Sequence, residues 1–474
     1  MAMYLGRIPR PAFGVRVPEV VLEPIARAIR DCGSYASFML SFNRETAPRD
    51  VIESTDQKTL YLGHTGTSIS EFISAVRSVS RSLNLVVEIE ADHVSLMKSV
   101  ERAIKRIAGA GFEGGLSDED IAFSLSYIEK ELSEAREAGG VDFVTLDTCE
   151  LIDLSVDSLS DSDVVARYES EIDYSTRRDL ERRYVDRPII LASARGCIAI
   201  KLDRVSVARL ALKYLKSIDY VVRLAQLVEE QLGRAVGIEV AFDEVPVETR
   251  EEDLLFFLNE IRVRGLTPDF VAPNVGFKKR EDYAGSLSHL YERLRRLSII
   301  ANFMGCNIAI HSGSGANPYS DKGFGVWHVV REATEGAVKY KMSGVFVQLA
   351  LEVMSRFPRG SRPRRVYEEI YEAVIDHLRR TVEMRSALYS RELESMLERY
   401  RGTMDPREDV FRHYFFVFQC LRDELGHRWL REAFVEVFAE DKDLRERYRK
   451  EVSELIHRLC RILGYEGSVY RYSL

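Results

Sequence analysis

The alternation of apolar and polar positions divides the first three quarters of the chain into short strand-like runs and longer amphipathic segments. The runs are short, at most about eight residues, and they are rich in β-branched or aromatic residues, which is typical of strands. We predict strands at Phe38–Phe42, Leu85–Glu90, Phe143–Leu146, Pro188–Leu191, Cys197–Lys201, Gly237–Phe242, Phe270–Ala272, Asn307–Ile310 and Ala337–Lys341. The amphipathic segments between them have helical periodicity: Ile69–Leu83, Asp118–Ala138, Ser206–Leu232, Glu251–Arg264 and Ser286–Met304.

Strands that alternate with helices indicate βαβ units and a parallel sheet. About eight such units predict an α/β fold, a (β/α)8 TIM-barrel-like domain with insertions over residues 1–360. A doubly wound open sheet is the alternative. The pattern changes near Pro363, because Arg365–Arg401 and Glu408–Gly464 are almost wholly helical and highly charged. We therefore predict a helical C-terminal extension over residues 361–474, which packs on the barrel or on a second subunit.

Composition narrows the class of protein. With 46% apolar residues among 474, the chain can bury a large core, and a net charge of −8 without a basic block disfavours nucleic acid as a partner. No apolar run reaches the 18 residues that would predict a membrane span, and the N-terminal residues do not have a signal-peptide pattern. Six scattered Cys without a CxxC pair suggest reduced thiols and a cytoplasmic location. Many charged residues with few Gln fit a thermophilic origin.

Three strand ends carry the side chains that suggest chemistry. In a barrel the active residues lie at the carboxyl ends of the strands. Asp92-His93 could supply a base and a metal ligand, or could be structural. Asp243-Glu244 suits acid/base work, or the N-cap of the helix that begins near Glu251. His311 is followed by Ser312-Gly-Ser314-Gly, whose small residues let backbone donors approach a ligand, and this is the most specific of the three signals.

Polar and cationic residues fall on the same predicted rim. Asn274, Lys278, Lys279 and Arg280 follow one strand, and Lys322 follows the Gly-rich loop. A carboxylate-bearing substrate needs such cations, although each of these lysines could equally be an ordinary surface residue. Two residues stand apart from this set. Lys339 lies inside an apolar run, where a lysine is either buried and paired or part of a site. His64, in a Gly-rich turn, is a minor candidate.

Taken together, these residues resemble the tagaturonate epimerase family, whose enzymes interconvert D-tagaturonate and D-fructuronate and need a divalent metal. The resemblance rests on Ala91-Asp92-His93-Val94, Asp243-Glu244, Ala272-Pro273-Asn274-Val275-Gly276, Asp282-Tyr283, His311-Ser312-Gly313-Ser314, Asp321-Lys322, Glu335-Gly336 and Lys341-Met342-Ser343-Gly344. It implies Asp92 as proton acceptor, Glu244 as proton donor, and His93 and His311 as ligands of Zn2+, Mn2+, Ni2+ or Fe2+. We further expect substrate contacts from Asn274, Lys278, Ser312, Ser314, Lys322 and Lys339.

The chain departs from the family pattern in two places. Residues 315–320 look like an insertion that could displace Lys322, and Lys339 stands where the family has a further His. A protonated Lys is not a ligand for such metals. Three interpretations stay open: another residue completes the site, Lys339 replaces the metal's charge or forms a Schiff base, or the protein has diverged to another substrate or to no catalysis.

The sequence thus predicts a metal-dependent epimerase of a keto-hexuronate. The inverted carbinol is β to the ketone, so its proton is not acidic enough for simple enolisation, and we expect a retro-aldol route. The alternatives are an aldolase or isomerase acting on another keto-sugar acid, and a non-catalytic sugar-acid-binding relative. The expected partner is a small sugar acid, with no nucleic acid or membrane, and a homo-oligomer is possible.

Overall fold

A computed structural model of the protein describes residues 3–56, 60–97 and 114–472, and within these it contains a closed barrel. The strands are β1 Arg10–Gly14, β2 Ser37–Ser41, β3 Thr46–Ala47, β4 Thr67–Ser68, β5 Glu88–Ser95, β6 Phe143–Asp147, β7 Pro188–Ser193, β8 Gly196–Lys201, β9 Gly237–Ala241, β10 Phe270–Ala272, β11 Asn307–Ile310 and β12 Val338–Met342. Eight of these pair in parallel in the order β1-β2-β5-β6-β9-β10-β11-β12, and β12 pairs back with β1. The TIM-barrel-like prediction is confirmed, and the open-sheet alternative is wrong because the sheet has no edge.

Helices surround the barrel and form the C-terminal part. Their bounds are Pro18–Cys32, Arg49–Glu53, Ile69–Ser82, Asp118–Glu137, Asp161–Glu171, Tyr174–Tyr184, Arg204–Leu232, Glu251–Val263, Leu287–Phe303, Val326–Thr334, Val345–Ser355, Arg362–Met384, Arg391–Glu398, Asp409–Tyr414, Trp429–Glu440, Lys442–Leu463 and Ser468–Arg471. No helix among the described residues is both long and apolar enough to cross a bilayer.

Apart from one-residue shifts and the two-residue strands β3 and β4, which were not predicted, the strand predictions differ from the structure in three places. β1 was not predicted, because Arg10 and Pro11 interrupt its apolar pattern, yet all five of its residues are buried. Pro188–Leu191 and Cys197–Lys201 are strands, but they form the antiparallel β7–β8 hairpin outside the barrel, against the helix Leu287–Phe303. The run predicted as Leu85–Glu90 is displaced along the chain, since β5 spans Glu88–Ser95.

The barrel interior contains layers of charged residues together with a small apolar cluster of Phe143, Phe270, Ala272 and Ala309. At the amino-terminal end Arg10 pairs with Glu88 and lies between the rings of Phe143 and Phe270. Inward-facing residues alternate along each strand, so the next layers toward the carboxyl ends contain further acids and bases. The apolar core lies instead between the barrel and its helices.

The C-terminal helices share this core. The helix Arg362–Met384 begins after Ser361, with a proline in its first turn, close to the predicted boundary. The long helix Lys442–Leu463 packs against Pro18–Cys32 and Val345–Ser355, on the outside of the barrel. The extension therefore contacts the barrel of its own chain, and its treatment as a separate domain stays a prediction.

Candidate active site

A cavity of about 920 Å3, counting space open to solvent, lies at the carboxyl ends of the barrel strands. This is the end of a TIM barrel at which active sites are found. Residues from the loops after β1, β2, β9, β10, β11 and β12 line it, β5 contributes residues of the strand itself, and Phe415 reaches it from the C-terminal extension. The three strand ends singled out in the sequence, Asp92-His93, Asp243-Glu244 and His311, all contribute to this lining.

A bulge in β5 brings both Asp92 and His93 into the cavity. The sequence predicted that the strand ends at Glu90, since adjacent residues on an extended strand point to opposite sides. The structure corrects this, because the strand continues to Ser95 and its register with β6 shifts between Ala91 and Val94. His93 takes a left-handed backbone conformation with φ of 48°. Bulges of this kind re-aim side chains next to active sites.

Asp92, His93 and His311 converge closely enough to hold a metal ion. One ligand atom from each lies within 4.8 Å of the others, and the two imidazole rings are 4.9 Å apart between centroids. In a second group, His93 with Asp147 and Glu244, one ligand atom from each residue also lies within 4.8 Å of the others. Two imidazoles with a carboxylate form a donor set that suits Zn2+, Mn2+, Ni2+ and Fe2+.

The orientation of His311 supports this assignment. Its Nε2 lies 2.6 Å from Oε1 of Glu239, so this nitrogen is the donor toward a buried carboxylate. Nδ1 of His311 is 2.9 Å from Oδ1 of Asp243 but is not aligned for a hydrogen bond, and Nδ1 of His93 also makes none. A carboxylate behind one ring nitrogen is the usual arrangement of metal-binding histidines, and in His311 Glu239 takes this place while Asp243 lies beside the other nitrogen.

A proton and a metal ion compete for the same nitrogen. Burial alone would lower the pKa of His311, but Asp243 and Glu239 outweigh burial and raise the pKa to about 10. Unless a metal ion takes the place of the proton, His311 is therefore protonated at neutral pH. Metal binding at Nδ1 would release this proton, which makes the affinity dependent on pH.

Lys341, which was not predicted as a site residue, connects the acids at the floor of the cavity. Its Nζ lies 2.6 Å from Glu90, 2.7 Å from Asp92 and 2.8 Å from Glu239. Burial acts against the charge of Asp92, but Lys341, followed by the two histidines, lowers the pKa of Asp92 well below its usual range. The Lys341 ammonium is likewise stabilised, since the three carboxylates raise its pKa against the effect of burial. The side chain of Asp92 is therefore ionised at neutral pH.

Arg44, a residue that the sequence analysis did not identify, fixes Glu244. Its Nη1 lies 2.6 Å from Oε1 of Glu244 and its Nη2 lies 3.0 Å from Oε2, a bidentate pair. Arg44 Nη2 also contacts Asp147 at 3.3 Å, and Lys279 Nζ lies 3.2 Å from Glu244. The helix that follows begins after Arg250, so Asp243-Glu244 does not cap it. Glu244 is therefore positioned by side chains on two other loops.

The His311–Gly315 loop forms one wall of the cavity, and Ser312 and Ser314 lie on it. At Gly313 a Cβ atom would stand 2.6 Å from the Lys341 carbonyl oxygen, so only glycine allows the loop to approach β12. Lys322 supports the loop from behind, since its Nζ donates to the carbonyls of Lys278 (2.6 Å) and Ser314 (3.2 Å). Burial lowers the pKa of Lys322 to about 7.

Four predicted substrate-binding side chains have no place in the cavity lining. Asn274 is hydrogen-bonded to Val245 and to the amide of Gly276, Lys278 is exposed, and Lys322 is the support described above. Lys339 is fully buried one layer deeper, with Nζ 2.7 Å from Glu90 and 3.5 Å from the centre of the Phe143 ring. Substrate contacts by these four stay predictions that the geometry does not support.

His64, the minor candidate of the sequence analysis, does line the cavity. Lys341 could have been found from strand periodicity. Side chains alternate between the two faces of a strand, so Lys341 lies on the same face of β12 as Lys339, which the sequence did single out. Arg44 gives no signal of its own in the sequence, because its role depends on a loop–loop contact.

Comparisons with known proteins identify the family and agree with the fold. A family model described as tagaturonate epimerase matches residues 91–396, more than half of the chain. Among solved structures, the fold is similar to the two-glycerol complex of fructuronate-tagaturonate epimerase UxaE from Cohnella laeviribosi, with a TM-score of 0.69, 18% identity, and coverage of 98% of this chain and 83% of that one. The native form of that enzyme gives a TM-score of 0.68 at 19% identity with the same coverage. No curated protein sequence matches.

Proposed function

We propose that this chain, which belongs to the tagaturonate epimerase family, uses the cavity at the barrel mouth to interconvert D-tagaturonate and D-fructuronate. The family match makes it an isomerase that acts on keto-hexuronates. The convergence of Asp92 and His93 with His311 in one cavity is the observation that supports a working site, since His311 comes from a distant part of the chain.

A divalent metal ion is part of the proposal. The donor set fits one, because Nε2 of His93 lies 3.9 Å from the Asp92 carboxylate and Nδ1 of His311 is a buried ring nitrogen without a hydrogen bond. When bound there, the ion would supply Lewis-acid polarisation of substrate oxygens.

The proposed reaction is a retro-aldol cleavage followed by re-addition. Asp92 takes the proton of the carbinol hydroxyl, the bond between this carbinol carbon and its neighbour α to the ketone breaks, and its electron pair enters the enolate of the ketone fragment. The carbinol carbon becomes an aldehyde, which turns and presents its other face. The enolate carbon then attacks that face, and Glu244 donates a proton to the new alkoxide. Atoms and electrons balance without a redox cofactor.

The resemblance gives Asp92 the role of proton acceptor, whereas the geometry also makes it the one carboxylate of the group Asp92, His93 and His311. The two roles predict different results for Asp92→Asn. A pure proton acceptor can be removed without loss of metal, while a ligand cannot. Glu244 must likewise take up a proton before it can donate one to the alkoxide, although its ion pairs with Arg44 and Lys279 favour the carboxylate. Glu244→Gln tests this donor role directly.

The experiment is metal analysis by mass spectrometry on the purified protein and three variants, together with epimerase assays. We expect about one transition-metal ion per chain, lost in His93→Ala and His311→Ala. Asp92→Asn should abolish epimerisation, and its metal content decides between the two roles. A protein that epimerises the keto-hexuronate at full rate after complete metal removal would contradict the metal part of the proposal. Accumulation of the two fragments instead of the epimer would favour the aldolase alternative.

We also propose a cytoplasmic location, which fits sugar-acid breakdown and six cysteines that are all free thiols. A homo-oligomer stays a prediction for which size-exclusion chromatography with light scattering is the test.

A further inference from the structure

The cavity lining contains two chemically different groups of side chains. Asp92, Asp243 and Glu244 are carboxylates that lie next to the two histidines. Two arginines line the same cavity, Arg16 from the loop after β1 and Arg280 from the loop after β10. The keto-hexuronate itself has a carboxylate at one end and a ketone near the other, so each group of side chains suits one end of the substrate.

Arg280 is a cation without an ionic partner of its own. Among the described residues, no carboxylate forms an ion pair with its guanidinium, and no hydrogen bond is made by its side chain. The titratable groups that act on it are Arg16, Arg412, Tyr414 and Glu45, of which only Glu45 is a carboxylate. Burial and the nearby Arg16 lower the pKa of Arg280 to about 9, which is what a cation in need of an anion shows. Its backbone is left-handed, with φ of 61°, an uncommon conformation for Arg.

Arg16 adds a second unsatisfied donor. Its Nε lies 2.7 Å from Glu45 and 3.1 Å from Ser343, so one edge of the guanidinium is fixed by the protein. Its Nη1 is buried and makes no hydrogen bond. Glu45 is the nearby carboxylate, and it is already occupied by Arg16 and Ser343. Glu45 balances the charge of Arg16, so Arg280 carries the uncompensated positive charge at this part of the cavity lining.

We propose that Arg280, assisted by Nη1 of Arg16, is the subsite that binds the carboxylate of the substrate. A guanidinium with free donors matches a carboxylate in geometry and charge. This placement directs the ketone end of the substrate toward His93 and His311. It makes Arg280 a specificity-determining residue that favours uronates over neutral ketohexoses.

The subsite has a consequence for the reaction, and this part rests on the proposed function. After the retro-aldol cleavage, the carboxylate belongs to the aldehyde fragment. An anchor at the carboxylate keeps this fragment bound while its aldehyde group turns to present the other face. Without the anchor the fragment is released before the bond can form again.

Binding of unreactive probes tests the subsite independently of turnover. D-Mannonate and D-mannitol are suitable, since both lack the ketone and differ by the carboxylate. Titration calorimetry on the metal-loaded wild type should show mannonate binding at least tenfold more tightly than mannitol. Arg280→Met should weaken mannonate about 100-fold, toward the mannitol value, and leave mannitol unchanged within about threefold. Arg280→Lys should fall between, because it keeps the charge but not the fork.

Arg182→Met is the matched control, an exposed arginine on the helix Tyr174–Tyr184, and should change neither affinity. Equal affinity of the wild type for the two probes would overturn the proposal, and this comparison needs no variant. So would an Arg280→Met protein, folded by circular dichroism, that binds mannonate as well as the wild type or loses both probes equally. These binding results do not depend on epimerase activity, so the carboxylate subsite and the proposed reaction can be refuted independently of each other.

Discussion

Replacement of Arg10 by Met at the amino-terminal end of the barrel should destabilise the protein strongly and leave the active site intact. Arg10 Nε is 3.0 Å and Nη2 2.5 Å from Glu88 Oε1, and both side chains are fully buried. Removing one partner of a buried ion pair costs about 3–5 kcal/mol, because the other charge stays behind. Glu88→Gln should lower the free energy of unfolding by a similar amount, because it leaves the buried charge of Arg10 without its partner.

The double variant is the sharper test. With both charges gone, the loss should be smaller than the sum of the single losses by about 2–3 kcal/mol. The measurement is denaturant unfolding, followed by circular dichroism, on all four proteins. Lys130→Met, which breaks the exposed pair with Asp50, is the matched control and should cost less than about 1 kcal/mol.

The pH dependence has a defined sign. Burial already raises the pKa of Glu88, and Arg10 is the main cause that opposes it. In Arg10→Met this pKa rises further, so the folded state holds a proton that the unfolded chain has released. Stability of the variant should therefore fall as pH rises above about 4.5, and its deficit should be larger at pH 8 than at pH 5. Single losses that simply add in the double variant, or a deficit independent of pH, would refute the reasoning.

Three further changes have defined outcomes. Glu239→Gln weakens the acceptor behind Nε2 of His311 and should lower metal affinity about 10- to 100-fold, measured by competition with a chelator; unchanged affinity would argue against His311 as a ligand. Gly313→Ala places a methyl group against a β12 carbonyl and should reduce kcat/KM with little loss of fold, which thermal melts and steady-state kinetics would separate. Lys322→Met removes a buried ammonium whose pKa is lowered to about 7, so the charged form is penalised in the folded state below pH 7 and the penalty is relieved as pH rises toward 10.5. The stability of this variant relative to wild type should therefore be more favourable at pH 6 than at pH 9, by roughly 2–3 kcal/mol in unfolding experiments, and the opposite trend would exclude a neutralised lysine.

The fold was predictable because most barrel strands are short apolar runs followed by amphipathic helices. Asn307–Ile310 and Phe270–Ala272 agree with the structure to the residue. β1 was missed since its sequence begins Arg-Pro, and the fit of a buried arginine there depends on Glu88, 78 positions away. The β7–β8 hairpin was placed in the barrel because a strand pattern does not say which strands it will pair with.

The site was predictable where a strand end carries an uncommon side chain, as at His311. It was not predictable where a backbone irregularity or a contact between loops creates the function. The β5 bulge at Asp92 and His93 depends on the register with β6, and the fixing of Glu244 depends on Arg44, 200 positions earlier. Such features arise only when the chain is folded, so a single sequence gives no local sign of them.

The lysine at position 339 looked like a lost metal ligand, and its place in the barrel changes this interpretation. Inward positions on β12 are 339 and 341, separated by roughly 7 Å along the strand. The cavity reaches Lys341 but not Lys339, whose Nζ instead pairs with Glu90 below the floor. A side chain at 339 in this chain therefore acts on the site through the carboxylates that Lys341 also contacts. It follows that Lys339→His should change stability through Glu90 and Glu239 without adding a ligand at His93 and His311; an increase in metal affinity in that variant would show that position 339 reaches the site after all.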